Sequence, residues 1–327
     1  MRFGYGLITC QRPPDDARTD ADLYREAVER TVAAERAGFD SAWVSEHHFL
    51  DDGYMPSLLV TAAALAQATS RISIGTAVLL APLYDPLHLA EDAATVDLIS
   101  GGRFILGIGA GWRAEEFDLF GVAQNERAKL MNRTVKTLRG AWSDGPFGFD
   151  GHMVNVTPKP AHPIPIWMGG FAAGAVKRAG RIGDGFLGST SGTSGIEAFA
   201  QAKQMALEAR GRSDGFTFAL HVPVYVGAWY DVKQHYHYLR WKYPDMATAR
   251  GSAVAKSPPP LTPDIEDQLR GTIICGSSDE VVAEVTQFRD ALGDDTHFIF
   301  RSDFPGMPQD QQLELIDRLA SQVIARL

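Results

Sequence analysis

Two adjacent histidines, His47 and His48, stand in the segment Ser45-Glu46-His47-His48-Phe49, directly after a short apolar run. An imidazole titrates near neutral pH and suits proton transfer. Side chains alternate along extended chain, so the two rings cannot both enter one core. Two readings fit the pair: an acid–base site, or a turn in which one ring caps and the other packs beneath a loop. No carboxylate–histidine spacing accompanies the pair, which argues against a metal.

Three glycine-bearing segments offer a place for a ligand. Gly169-Gly170-Phe171-Ala172-Ala173-Gly174 runs from an apolar stretch straight into a helical one. Such a turn leaves amides free at the positive end of a helix, which makes a phosphate site; a close-packed turn is the alternative. Gly107-Ile108-Gly109-Ala110-Gly111-Trp112 lets backbone amides face a ligand, and Glu115 and Glu116 just after it also suit a helix N-terminus. Gly75-Thr76-Ala77-Val78 places small residues where a flat ring could approach the backbone, or where strands simply pack tightly. Arg127 could add a paired charge to a phosphate, or be an ordinary surface arginine. Ser189, Thr190 and Ser191 supply hydroxyls, or form a plain loop. There is no P-loop, GxSxG or HExxH, so hydrolase and kinase chemistry has no support.

These segments lie within or just after strands in an alternating strand–helix pattern. Strands are expected at Phe3 to Thr9, Asp40 to Ser45, Arg71 to Leu80, Arg103 to Ile108, Ile164 to Met168, Gly185 to Gly188, Phe216 to Val226 and His297 to Phe300. Helices are expected between them, including Asp22 to Ala37 ended by Gly38, Ser57 to Ala68, Pro86 to Ile99, Glu126 to Trp142, Ile196 to Arg210, Asp279 to Ala291 and Gln309 to Arg326. Eight such repeats with short connections favour an α/β fold of the (β/α)8 or TIM-barrel kind. An open doubly wound sheet is the rival, but no GxGxxG joins the first strand to the first helix. Residues 145–160 read as a β-ribbon excursion. Residues 228–275, rich in aromatics, read as an irregular insertion near the barrel mouth. The whole of 1–327 is expected to be one barrel domain, with its active site at the C-terminal strand ends.

Composition narrows the partners. The chain has 327 residues, 45% apolar and 22% charged, with a net charge of −9. An acidic chain without a basic run is a poor nucleic-acid binder. No apolar run approaches a membrane span, and the first residues lack a signal-peptide pattern, so a cytoplasmic enzyme is expected. Cys10 and Cys275 show no metal or redox spacing.

The segments SEHHF (45–49), GTAVLLAPLYDPLHLAEDAATVDLISGGRFILGIGAGWRAEEFDLFG (75–121), NERA (125–128), PIWMGG (165–170), GRIGDGF (180–186) and FRSDFPGM (300–307) resemble, in order and spacing, the bacterial luciferase-like flavin monooxygenase family. The resemblance spans nearly the whole chain. It implies a barrel that binds reduced FMN at the strand ends, with His47 as catalytic base and His48 beside it. It implies a non-proline cis peptide at Ala77-Val78 behind the flavin ring, a phosphate contact from Arg127, backbone amides of Gly169, Gly170, Phe171 and Ala172 around that phosphate, and a hydroxyl from Ser189. Luciferases carry a cysteine and an arginine where this chain has Gly109 and Ala110 in the cofactor loop. GAGWRAEEF, PIWMGG and GDGF are also similar to the coenzyme F420 branch, whose anionic cofactor tail Lys177, Arg178 and Arg181 could meet.

The first function implied is therefore a monooxygenase that takes reduced FMN from a separate NAD(P)H flavin reductase and uses O2 on a small, mainly apolar aldehyde, ketone or terpenoid. The second is F420-dependent hydride transfer, and the third a non-catalytic flavin-binding paralogue. The resemblance also implies a homodimer packed through helices near the second to fourth strands.

Overall fold

Short runs of β-branched, aromatic and glycine residues form the strands, with helices between most of them. The structure, a computed structural model, describes residues 1–248 and 257–327. The strands are β1 (Arg2–Ile8), β2 (Ser41–Val44), β3 (Ser73–Thr76), β4 (Leu79–Leu80), β5 (Phe104–Gly109), β6 (Phe147–Phe149), β7 (His152–Val154), β8 (Ile166–Gly169), β9 (Gly185–Ser189), β10 (Thr217–Val226), β11 (Ile274–Gly276) and β12 (His297–Arg301). The helices are α1 (Asp20–Ala37), α2 (Leu58–Ala68), α3 (Pro86–Ser100), α4 (Ala114–Phe120), α5 (Arg127–Ala141), α6 (Ala173–Ile182), α7 (Ile196–Arg210), α8 (Trp229–Thr248), α9 (Pro263–Arg270), α10 (Ser278–Leu292) and α11 (Gln309–Arg318).

Eight strands pair in parallel in the closed order β1-β2-β3-β5-β8-β9-β10-β12 and back to β1, a TIM barrel. Each of the eight expected strands is one of these. Local chemistry sets the helix ends. Thr19 and Asp22 form a capping box at the start of α1, and Gly38 ends it with φ 97°, a left-handed conformation that suits glycine. Asp85 caps α3 by accepting from the amides of Leu87 and His88. Ser277 and Glu280 repeat the capping box at α10.

Two apolar layers result. The larger lies between barrel and helices. The smaller fills the barrel with Leu7, Trp43, Ala77, Ile105, Trp167, Leu187, Ala219 and Ile299, one from each strand or the residue just past its end. Trp43 and Trp167 stack with centroids 5.2 Å apart. Glycine makes room for them: a Cβ on Gly75 would overlap the Trp43 ring, and one on Gly185 would come within 2.6 Å of Trp167. Side chains alternate along a strand, so residues two further on from this layer face the mouth.

Two expectations are refined. The run Arg71 to Leu80 is broken: β3 stops at Thr76, the Ala77–Val78 peptide is cis, and β4 resumes beside β5. The Thr76 hydroxyl bridges the break, donating to the Gly107 carbonyl at 2.7 Å and accepting the Gly107 amide at 2.9 Å. The segment 228–275 is not irregular where it is described. It holds α8, α9 and β11, which pairs with the last three residues of β10; residues 249–256 lie outside the described residues. No apolar stripe betrays α8 because polar groups share its buried face. Lys242, at helical spacing between the buried Leu239 and Met246, bonds to Asp51, and buried Tyr238 bonds to Asp52. The ribbon expected at 145–160 is the antiparallel hairpin β6–β7. No helix among the described residues is long and apolar enough to cross a membrane.

A side chain at Gly107 would overlap the Thr76 carbonyl oxygen. Gly107→Ala is expected to lose about 1–3 kcal/mol of stability, the usual cost of overpacking. Urea denaturation measures it, and an unchanged midpoint would mean that β3 and β5 are not this close.

Candidate active site

The mouth of the barrel has the stacked tryptophans as its floor and polar groups on its rim. His47 and His48 follow β2 with their rings on separate partners. His47 Nδ1 lies 2.8 Å from Glu116 Oε1, and the same oxygen accepts the His48 amide at 3.0 Å. Glu116 belongs to α4 and is wholly buried. A carboxylate there accepts, which places the His47 proton on Nδ1 and leaves Nε2 without a partner among the described residues. The His47 ring is edge-on to Tyr54 at 4.9 Å, to Trp112 at 5.5 Å and to Tyr243 at 6.2 Å.

His48 turns the other way. Its Nε2 lies 2.6 Å from Glu46 Oε1, and its ring packs edge-on to Phe120 at 4.9 Å. Burial pushes the Glu46 carboxyl up, against the opposing pull of His48, the Leu80 amide and Tyr84. The two histidines therefore divide the readings between them. His47 is set among the aromatic residues of the mouth, while His48 packs into the wall. Arg113 secures the segment by donating to the His48 carbonyl at 2.7 Å and pairing with Glu115.

A second group of residues was not singled out in the sequence. Arg301, at the end of β12, donates to the Tyr243 hydroxyl at 2.7 Å. Tyr243 lies 3.3 Å from the Tyr54 hydroxyl, which donates to Ser45 Oγ at 3.0 Å. A chain of hydrogen bonds thus crosses the mouth from the last strand to the residue before Glu46. His221, on β10, stands two residues above Ala219, just as Arg301 stands two above Ile299. Both interrupt strongly apolar strands, FTFALHVPVYV and HFIFR. A polar residue in phase with the barrel-filling layer is the signal that could have found them. Glu116 was seen only as a helix-opening acid, because its contact with His47 links residues far apart in sequence.

Among the residues expected to hold a cofactor, Val78, Gly109 and Gly169 come together at the ends of adjoining strands. Val78 projects between the neighbouring strands: a Cβ on Gly109 would overlap it, and one on Gly169 would come within 2.8 Å. Ala110 is half-buried at the end of β5. Gly169 and Gly170 lead into α6, whose N-cap Ala172 has no side-chain capping bond. Phe171 is 84% exposed, and Ser189 is half-buried at the end of β9. Orphan amides at an uncapped helix start suit a phosphate, and the glycine-backed Ala77–Val78 segment suits a flat ring. These residues fit a flavin phosphate and ring. Arg127 is exposed at the first turn of α5, with no ion pair among the described residues.

The structure does not use the aromatic cluster of α8 as a broad apolar cover. Tyr236 donates to the Thr272 carbonyl at 2.7 Å, Tyr238 donates to Asp52 at 2.8 Å, and Tyr243 alone of the three reaches His47. A cavity of about 880 Å³ lies elsewhere, between residues 13–18, the first half of α8 and residues 257–261 and 305–309. Of the residues named above it touches Tyr238, and it does not reach His47, Glu116, Arg301 or the glycine turns. Cys10 and Cys275 are free thiols.

The model of the family described as luciferase-like monooxygenase matches residues 1–295. The chain is 32% identical over 305 residues to an F420-dependent glucose-6-phosphate dehydrogenase of Kineococcus radiotolerans, covering 86% of this chain and 88% of that protein. It is 33% identical over 163 residues to the alkanal monooxygenase alpha chain of Photorhabdus luminescens, covering 48% of this chain and 44% of that one. In structure it is similar to the oxygenating constituent of 3,6-diketocamphane monooxygenase from Pseudomonas putida, solved with FMN: the TM-score is 0.78 at 18% identity, covering 100% of this chain and 99% of that one.

Two buried histidines, His221 on the rim and His297 at the start of β12, set a dependence on pH. Burial, helped by the charge of Arg301, pushes the His221 pKa down to about 3, and burial does the same to His297. Both rings are neutral in the fold, whereas an unfolded histidine takes its proton near pH 6.5. Between those limits the unfolded chain holds more protons, so stability is full above about pH 6.5 and falls towards pH 3, at up to about 1.4 kcal/mol per pH unit for each ring. Urea midpoints at about pH 7 and about pH 4.5 should therefore fall less for His221→Gln than for the wild type. Parallel falls would mean that His221 takes up its proton in the folded chain.

Proposed function

Because the chain belongs to the luciferase-like monooxygenase family, we propose that it binds reduced FMN at the barrel mouth and uses O2 to oxygenate a small, mainly apolar organic substrate. The observation that carries this reading is the His47–Glu116 pair beside the rim that fits a flavin. When bound, reduced FMN supplies the two electrons with which O2 is divided between substrate and water.

This chain's residues would bind, orient and protect. The amides of Gly170, Phe171 and Ala172 and the hydroxyl of Ser189 hold the phosphate, with Arg127 adding charge. Ala77 and Val78 back the ring, with Gly109 and Ala110 beside them. His47 moves a proton through Nε2, and Glu116 fixes its tautomer. Trp112, Tyr54 and Tyr243 crowd the imidazole and limit water there. A separate flavin reductase supplies the reduced cofactor. Exposed Val60 on α2 and Leu98 and Ile99 on α3 support a homodimer through those two helices.

The second reading is F420-dependent hydride transfer, favoured by the near full-length likeness to the Kineococcus dehydrogenase and by Gly109 and Ala110. Here His47 would exchange a proton with an alcohol or ketone.

Anaerobic titration with reduced FMN and with F420, followed by oxygen and a panel of medium-chain aldehydes and ketones, separates the two. The first reading expects tighter FMN binding and oxygen-dependent product. His47→Asn should then lower turnover by about 10²–10⁴-fold, the usual share of acid–base catalysis, with FMN affinity nearly unchanged. Preferential F420 binding, with oxidation that needs no oxygen, would replace the first reading by the second.

A further inference from the structure

The rim carries a positive charge that the reading above does not use. Arg301 is buried, with 6% of its surface exposed. No carboxylate lies within ion-pairing distance of it among the described residues. Every other deeply buried basic group in the neighbourhood has one: Arg30 pairs with Asp303 at 2.9 Å, Lys242 with Asp51 at 2.7 Å, and Arg113 with Glu115. Arg301 has only phenols. The Tyr243 hydroxyl accepts one of its five N–H groups and the Tyr243 ring lies 5.1 Å from its Cζ, while its Nε has no partner. Beside it, on the neighbouring strand, His221 Nδ1 is also buried and unpartnered. Neither residue is needed to fill the barrel, since Ala219 and Ile299 do that one layer below.

A guanidinium withdrawn from water without a counter-charge is costly, and so is an unpaired buried ring nitrogen. Such groups persist where a ligand satisfies them. We propose that Arg301 and His221 form a substrate-binding subsite for an oxyanion, so that the substrate carries a carboxylate or phosphate group on an otherwise small organic body. The guanidinium presents a planar fork that matches either group. Neutral His221 donates one further hydrogen bond without adding charge. Tyr243 connects the subsite to His47, because its hydroxyl is held by Arg301 and its ring meets the imidazole edge-on. A substrate anchored on β10 and β12 would reach across the mouth to the proton-transfer group after β2. This rests on the reading of the mouth as the active site and deepens it by naming the charge of the substrate.

The test measures binding by titration calorimetry of the full chain with hexanoate, its neutral isostere hexanamide, and inorganic phosphate, and separately with oxidised FMN. The subsite predicts that hexanoate or phosphate binds saturably and that hexanamide binds at least about tenfold more weakly than hexanoate. Tighter hexanoate identifies a carboxylate, and tighter phosphate a phosphate. Arg301→Met should weaken the anion at least about tenfold while FMN affinity stays within about twofold; Arg301→Lys should lose less, because it keeps the charge without the fork. If Arg301→Met does not fold, His221→Gln and the hexanoate–hexanamide comparison in the wild type carry the test. Equal binding of acid and amide, or no anion binding at all, would overturn the proposal. Loss of FMN binding in Arg301→Met with anion binding intact would also overturn it, because the guanidinium would then serve the flavin. Failure of FMN to bind the wild type while hexanoate binds through Arg301 would remove the flavin reading and leave the subsite standing.

Discussion

A buried carboxyl needs donors, and one oxygen of Glu116 takes two from a single segment while Oε2 has none among the described residues. Its Oε1 meets the His47 ring and the His48 amide, so α4 is tied to the chain leaving β2. The link fixes where the imidazole points, which nitrogen carries its proton and how α4 sits against the chain leaving β2. Glu46 repeats the device one layer across, gripping His48 and the Leu80 amide just past the cis bond. Two buried acids thus pin the double-histidine segment between β2 and the β3–β4 break. The rest of the mouth is arranged around that fixed point.

The barrel supplies the constancy these contacts need. Eight inward side chains, dominated by the stacked Trp43 and Trp167, close its interior and leave the next layer free to be polar. Glycines on the adjoining strands are the condition for this floor, because any side chain at Gly75 or Gly107 would collide with Trp43 or the Thr76 carbonyl. The same close approach lets Val78 project between Gly109 and Gly169. Packing demands and ligand demands coincide at these positions, which is why the sequence alone supports both readings of each glycine.

The strand–helix rhythm was legible because caps and apolar runs are local signals. Thr19–Asp22, Gly38, Asp85–Pro86 and Ser277–Glu280 mark helix ends through contacts within a few residues. The histidine pair and the glycine turns were also visible as motifs. The partners that give them meaning were not. Glu116 lies 69 residues from His47, and Tyr54 and Tyr243 are 189 apart. α8 was misread because Tyr238 and Lys242, bonded to Asp52 and Asp51, sit among its buried apolar residues and break the apolar periodicity. Arg301 and His221 were hidden inside strands whose apolar neighbours dominate the pattern.

The central claim is that the glycine-backed rim and the start of α6 receive one phosphate-bearing cofactor whose reactive edge faces His47. Diffraction from crystals grown with oxidised FMN addresses it most directly. The account predicts the phosphate on the amides following Gly169, the ring against Ala77 and Val78, and His47 Nε2 towards the ring. FMN bound instead in the proline-lined cavity beside Pro305, or a phosphate far from α6 with the His47 ring turned away, would contradict it.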